Sequence, residues 1–233
     1  MISFVVPAYN EERLIGAALD AIHDAARSVG QPYEIVVAND ASTDRTPGIA
    51  REKGARVVDC HHRQIARVRN TGARASTGDV LIFVDADTVI SSAVVRASLA
   101  SIESGAVGGG ATLHVEGSLP WWGPMVLWAV GESMRVMRWA AGCYVFTTRA
   151  AFLAAGGFDE RIFATEEIFF SQALKRVGRV VILREQVVTS GRKLRTHSAW
   201  DMIHLFGLLL VRGPRLLRNR EALAFWYGDR RHD

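Results

Sequence analysis

Strand-like and helix-like hydrophobic patterns alternate through the first hundred residues. ISFVV (2–6) is a short apolar run, and EERLIGAALDAIHDAARSV (11–29) follows with apolar residues at Leu14, Ile15, Ala18, Leu19 and Ile22, a helical period. Asn10 stands where an N-cap would. YEIVVAN (33–39) predicts the next strand. A helix is expected from about Thr46 to Lys53, with Thr43 or Asp44 as cap and Gly54 as stop. ARVVD (55–59) predicts a strand, IARVRNTGARAS (65–76) a helix in spite of Gly72, DVLIFVDAD (79–87) a central strand and SAVVRASLASI (92–102) a helix.

Strands separated by helices of this length predict an α/β fold, with a mostly parallel, Rossmann-like sheet covered by helices on both faces. Ligands in such sheets sit beyond the carboxyl ends of the strands. Polar residues collect there in this chain: Tyr9, Asn10 and Glu11 after the first strand, Asn39 and Asp40 after the second, Asp85 and Asp87 after the fourth. Further on, AVGGGATLHV (106–115) and CYVFTT (143–148) read as strands around an aromatic, Met-rich stretch from Trp121 to Trp139. TEEIFFSQALKRVG (165–178) carries Phe170, Leu174 and Val177 at helical spacing, and a basic amphipathic tail follows Ser190. The expected organisation is one domain over 1–195, in halves of 1–115 and 116–195, with a helical tail over 196–233.

Half of the 233 residues are apolar, enough for a core without disulfides or metals. The net charge of +4 is uneven, since the segment Arg192 to Arg231 is rich in Arg and Lys. A basic tail beside apolar residues points to anionic partners, phosphates or a membrane surface. Two cysteines, Cys60 and Cys143, fit a reducing cytoplasmic setting. The N-terminus has no signal-peptide pattern, and the apolar runs 119–131 and 202–211 are well short of the ~20 residues of a spanning helix. The expectation is a soluble protein, or one peripheral on the inner face of a membrane.

In a strand, Asp85 and Asp87 share a face. Two adjacent carboxylates repel unless a cation or solvent lies between them, and hard oxygen ligands suit Mg²⁺ or Mn²⁺. The alternative is a strand-to-helix turn in which Asp87 or Thr88 caps the next helix.

Several motifs carry a resemblance. VVPAYNEE (5–12), VANDASTDRT (37–46), ARVRNTGARASTGD (66–79), FVDADT (83–88), GCYVFTTRAAFLAAGGFDE (142–160) and TEEIFFSQALKRVG (165–178) resemble, in order, the family 2 nucleotide-sugar glycosyltransferases of GT-A fold. The resemblance implies a metal-dependent, inverting transfer of hexosyltransferase type. A sugar would pass from a UDP- or GDP-linked donor to a hydroxyl acceptor that is lipid-linked, a glycan or a small molecule. No nucleic-acid partner is implied. Tyr9 would stack on the base, Asp40 accept from its edge and Glu11 bind ribose. Pro7, Ala8, Asp85, Ala86 and Asp87 would line the donor site, and Arg67, Arg69 or Arg74 would reach the diphosphate or Asp40. Arg67 and Arg74, seven apart, share a helix face, and Arg69 points elsewhere. Asp85 and Asp87 would hold the metal, with His197 as a third ligand. Arg192, Lys193 and Arg195 would meet the diphosphate. Gly142, Cys143 and Glu166 would lie on the acceptor side, and Glu167 would be the catalytic base.

The family's D-D-G-S is N-D-A-S here, with Asn39 and Ala41 substituted, and its E-D is Glu166-Glu167. The Q-x-x-R-W signature of processive synthases is absent, so one sugar per event is expected. A nucleotidyltransferase or dehydrogenase would need a glycine-rich loop after the first strand, where PAYNEER has none. A non-catalytic nucleotide-sugar-binding protein on the same fold remains an alternative.

Overall fold

The computed structural model describes residues 1–116 and 123–190, without the side chains of 115–124 and 126–130. The chain runs β1 (Ile2–Ala8), α1 (Ile15–Val29), β2 (Tyr33–Asp40), α2 (Thr46–Glu52), β3 (Arg56–Cys60), α3 (Ile65–Ala75), β4 (Val80–Val84), β5 (Thr88–Val89), α4 (Ser92–Glu103), β6 (Ala106–Glu116), α5 (Gly123–Val136), β7 (Tyr144–Thr148), α6 (Arg149–Ala154), α7 (Glu166–Val177) and β8 (Arg179–Ser190). The described strands form one sheet in the order β3-β2-β1-β4-β7-β6-β8-β5. The first four strands are parallel, β7 runs antiparallel to both neighbours, and β6 and β8 are parallel.

Alternation along the strands feeds two cores. Phe4, Val6, Ile82 and Val84 pack with α1 and α4 on one face. Val5, Leu81, Phe83 and Val145 pack with α3, α6 and α7 on the other. Gly72 has a packing reason: a Cβ there would lie 2.4 Å from Val5 Cγ1, so glycine lets α3 press onto β1. At Gly109 a Cβ would sit 1.7 Å from the Val181 carbonyl oxygen, which accounts for glycine at this point of the β6–β8 pairing.

The sheet is curled. Only Asp85, Ala86 and Asp87 separate β4 from β5, yet β5 pairs with β8 at the opposite edge. Four chain steps span at most roughly 14 Å, whereas four strand spacings in a flat sheet are about 19 Å. A bulge on β8 allows the bend: Ala111 faces Leu183 but Thr112 faces Gln186. The Thr112 hydroxyl reaches the carbonyls of Arg184 and Glu185 at 3.0 and 3.1 Å, satisfying the backbone that the bulge frees.

Three local expectations are corrected. Asn10 does not cap α1, which begins at Ile15 with no side-chain cap. Its Oδ1 instead accepts from Thr43 N at 2.8 Å, tying the loop after β1 to the loop after β2. The fourth strand ends at Val84, so Asp85 and Asp87 stand in a turn and not on one strand face. Neither Asp87 nor Thr88 caps α4, because Ser91 Oγ accepts from Val94 N and Thr88 pairs with Thr189 in β5. No helix of the described residues is long and apolar enough to cross a membrane.

Candidate active site

The turn after β4, Gly142 and the start of α7 meet around one buried cation. The positions Ala66, Arg69, Asn70 and Ala73 form the inward stripe of α3, all buried. Arg69 is 2 % exposed. Its Nη1 donates to Glu166 Oε1 at 2.6 Å, and its Nη2 donates to Asp85 Oδ1 at 2.9 Å and to the Gly142 carbonyl at 2.7 Å. The guanidinium also lies 5.3 Å from the Phe158 ring centroid. Burial alone would favour the neutral guanidine, but Asp85, Glu166 and Glu167 more than offset it and hold the charge firmly. Its Nε has no partner among the described residues.

Arg69 thus joins the turn after β4 to the first residue of α7. Of the three arginines of α3 that the sequence offers, only Arg69 turns inward. In the structure Arg67 pairs with Glu160 Oε2 at 3.3 Å, as Arg74 does with Oε1 at 3.7 Å, and both are exposed. The two do share a face, as their spacing implies. The signal for Arg69 was available in its place among Ala66, Asn70 and Ala73.

The acids of α7 take different positions. Glu166 is buried and committed to Arg69, whereas Glu167 is half-buried. Its carboxyl lies against Gly142, where an added Cβ would meet Glu167 Cδ at 3.3 Å. Burial first, then Glu166, push the Glu167 carboxyl up to about 8, with Arg69 pulling the other way. Thr165 precedes the pair at φ 60° and gives no side-chain cap bond. Asn70 and Gln64 fix the adjoining loop: Asn70 Nδ2 donates to the Phe158 carbonyl and its Oδ1 accepts from Phe158 N, both at 2.9 Å. Gln64 Nε2 donates to the carbonyls of Glu160 and Ile162.

In the turn after β4, Asp85 N donates to the Cys143 carbonyl at 3.2 Å. Cys143 itself is buried in the core. Asp87 Oδ2 accepts from Ser190 Oγ at 2.6 Å, and Ser190 N donates to the Asp87 carbonyl at 3.2 Å. Ser190 went unnoticed in the sequence because it lies 103 residues away. Among the described residues no cluster of three or more His, Cys, Asp or Glu assembles as a metal site. His197, Arg192, Lys193, Arg195 and the tail lie outside the described residues.

At the carboxyl end of β1, Pro7 and Ala8 lie past Val5–Phe83, the last registered pair between β1 and β4. Pro7, which has no N–H to give, sits beyond the point where that ladder ends. Tyr9, Asn10 and Glu11 continue into a loop laced to the one after β2, with Glu11 N donating to Thr46 Oγ1 at 2.8 Å. Asp40 is buried and its Oδ1 accepts from His62 N at 2.6 Å. Of the two N-D-A-S departures, the one at Asn39 has a structural reason and the one at Ala41 carries strain. Asn39 donates from Nδ2 to Asp59 Oδ1 at 2.7 Å, which a second carboxylate could not do. Ala41 has φ 55°, the region that glycine enters without strain. Cys60, beside Asp40 in the register, has its thiol pushed up to about 11 by burial, Asp40 and Asp59, which makes it a poor nucleophile.

The family model described as Glycosyl transferase family 2 matches residues 3–159. An uncharacterized glycosyltransferase, EpsJ of Bacillus subtilis (strain 168), is 33% identical over 99 residues, covering 40% of this chain and 28% of its own. The undecaprenyl-phosphate 4-deoxy-4-formamido-L-arabinose transferase of Pectobacterium carotovorum subsp. carotovorum (strain PC1) is 32% identical over 94 residues, 37% of this chain and 28% of its own. The chain therefore spans little more than a quarter of these relatives' length. Among solved structures, the mannosyltransferase PcManGT of Pyrobaculum calidifontis, in complex with GDP-Man and Mn²⁺, aligns with a TM-score of 0.66 at 20% identity, over 96% of this chain and 69% of that one. Glucosyl-3-phosphoglycerate synthase of Mycobacterium tuberculosis, in complex with Mn²⁺, UDP and glucosyl-3-phosphoglycerate, aligns with a TM-score of 0.60 at 20% identity, over 94% and 79%. At such identities the likeness is one of fold, here the GT-A fold.

Proposed function

The chain belongs to glycosyl transferase family 2, and from that premise we propose that it moves one sugar at a time from a nucleotide-diphosphate donor to a hydroxyl acceptor, with inversion. The observation that carries this reading is the Arg69 hub, which holds the turn after β4 beside the start of α7. A donor bound at that turn would have its anomeric carbon near Glu167. The family match ends at 159, so the role of α7 rests on this geometry.

The residues fit a divalent cation that arrives with the donor. Asp85 and Asp87 offer hard carboxylate oxygens, and Mg²⁺ usually takes one or two carboxylates plus substrate phosphates. Asp87 would be the principal protein ligand, because Asp85 Oδ1 already accepts from Arg69. Such an ion, when bound, offsets the charge that develops on the departing diphosphate. The Mn²⁺ in the PcManGT and glucosyl-3-phosphoglycerate synthase complexes supports this reading without separating Mg²⁺ from Mn²⁺.

The chain's own residues do the rest. Tyr9 offers a flat ring to the base, Asp40 a carboxylate to its N–H edge, Glu11 a carboxylate to ribose, and Pro7, Ala8 and Ala86 line the entry. Glu167 accepts the proton of the acceptor hydroxyl as that oxygen bonds to the anomeric carbon. The bond from that carbon to the diphosphate oxygen breaks, and its electron pair leaves with the nucleotide. Gly142 leaves room beside Glu167 for the acceptor. UDP and GDP are the donors to try first, given the ligands of the two structural neighbours. A lipid-linked acceptor at a membrane surface accords with the undecaprenyl-phosphate relative. Thermal shift with UDP and GDP, each with and without Mn²⁺, tests the donor site, and release of free sugar from the matching donor tests the chemistry. No stabilisation by either nucleotide would overturn the reading.

A further inference from the structure

Tyr9 and Asp40, read above as the nucleobase site, are met by consecutive residues of the loop between β3 and α3. His62 donates its backbone N–H to Asp40 Oδ1 at 2.6 Å. Arg63 lays its guanidinium over the Tyr9 ring, 4.1 Å from the centroid. A nucleobase presents the same two features, an N–H edge for the carboxylate and a flat face for the ring. No base fits between Arg63 and Tyr9 as they stand, since stacked groups need about 3.5 Å on each side. Arg63 also has φ 50°, a conformation rare for a side chain of its size and kept only where the surroundings hold it. Among the described residues no ion pair restrains its charge, in contrast to Arg67 and Arg74, which both pair with Glu160.

We propose that Arg63 is a gate on the base platform, covering Tyr9 while the site is empty of nucleotide and displaced by the donor's base. The His62 N–H stays on Asp40 and fixes the direction of that carboxylate. A guanidinium over an aromatic face is held by charge–quadrupole attraction and can leave without breaking a hydrogen bond. The displaced side chain swings toward solvent, as its half-buried position permits. The gate rests on the reading of Tyr9 as the base platform, and its test keeps the two apart.

Isothermal titration of UDP and of GDP, each with Mn²⁺, would be run on the wild type, Arg63→Ala, Arg63→Gln, Tyr9→Ala and the double variant Arg63→Ala/Tyr9→Ala. Both Arg63 variants are expected to bind the preferred nucleotide about fivefold more tightly than wild type, the equivalent of about 1 kcal/mol. In the Tyr9→Ala background the gain should vanish, since the two residues act through one contact. Unchanged or weaker binding in both Arg63 variants would overturn the gate while leaving the donor site intact, as would a gain that survives without Tyr9. Failure of wild type and variants alike to bind either nucleotide would instead remove the donor reading, and the gate with it.

Discussion

The turn after β4 and the start of α7 each present two acids, and Arg69 treats the two pairs alike. It takes the first acid of each, Asp85 and Glu166, and leaves the second to other surroundings. Those surroundings differ. Asp87 is oriented by a donor, the Ser190 hydroxyl. Glu167 is held up in its proton affinity by burial and then by the like charge of Glu166. One edge is built to hold a carboxylate in a fixed direction, the other to make a carboxyl take up a proton. That difference is the one the proposed cation ligand and general base would require.

Removing the shared cation breaks both edges at once. Arg69→Met would leave Asp85 and Glu166 without the partner that offsets their burial, and loss of one member of such a cluster costs about 3–5 kcal/mol. Chemical denaturation should show that loss, and donor turnover should fall with it. Arg69→Lys should recover only part, because Nη1 and Nη2 serve acceptors on different elements and an ammonium lacks that fork. A variant as stable as wild type would mean that the hub does not hold the site together.

Glu167→Gln separates the edges by removing the proposed base alone. Nucleotide binding should be retained while turnover drops about 10²- to 10⁴-fold, the usual contribution of a positioned base. In the wild type the carboxyl must be ionised to accept a proton, so kcat/KM should climb with pH, pass half its maximum near 8 and level off above that. Stability should move the opposite way. The folded carboxyl keeps its proton up to about 8 whereas an unfolded one releases it near 4.5, so wild type loses stability as pH rises through that window. Glu167→Gln lacks that slope, and its melting temperature relative to wild type should grow from pH 5 to pH 9. A flat difference, or near-normal turnover, would assign the base elsewhere.

How far the sequence exposed these edges depended on chain distance. Local periodicity located β1, β2, α3 and α4, and the ordered motifs pointed to the fold, since short apolar runs and 3.6-residue stripes are written in neighbouring residues. Pairings between distant segments were hidden. Asp85 and Asp87 were expected on one strand face, but β5 and the curl of the sheet put a turn between them. Asn10 looked like a cap because nothing nearby shows that Thr43 would claim it. Spacing alone left Arg67, Arg69 and Arg74 as equal candidates, and the place of Arg69 on the buried stripe of α3 is what separates it. A buried guanidinium needs acids from other elements, and single-chain spacing does not say which ones arrive.

On the donor edge alone, Asp87→Asn should weaken Mn²⁺ binding in the presence of UDP most, with little loss of stability. Ser190→Ala should act in the same direction through orientation. Removing a group that orients a metal ligand costs about 10- to 100-fold in affinity, and the lower end is expected for a single hydroxyl. Competition between Mn²⁺ binding and a chelator reads this directly, and Ser190→Thr should restore it. Equal affinities in Ser190→Ala and wild type would reduce the Ser190 contact to a closure of the sheet.

The smallest effect compares backbones. Two loops near the site turn through a non-glycine residue in the left-handed region, Ala41 at φ 55° after β2 and Thr165 at φ 60° before Glu166. A side chain there costs roughly 1–2 kcal/mol relative to the right-handed form. Glycine removes that cost but adds about 0.5–1 kcal/mol of chain entropy to be lost on folding. Ala41→Gly should therefore stabilise the protein by about 0.5 kcal/mol and leave nucleotide affinity unchanged, since the backbone path is already the one that glycine prefers. Thr165→Gly should behave similarly in stability, because Thr165 supplies no cap bond that the change would remove. A loosened start of α7 should nevertheless appear in Thr165→Gly as slower turnover at unchanged donor affinity, with no counterpart in Ala41→Gly. Equal turnover in the two variants would show that the strain at Thr165 does not help to aim Glu167.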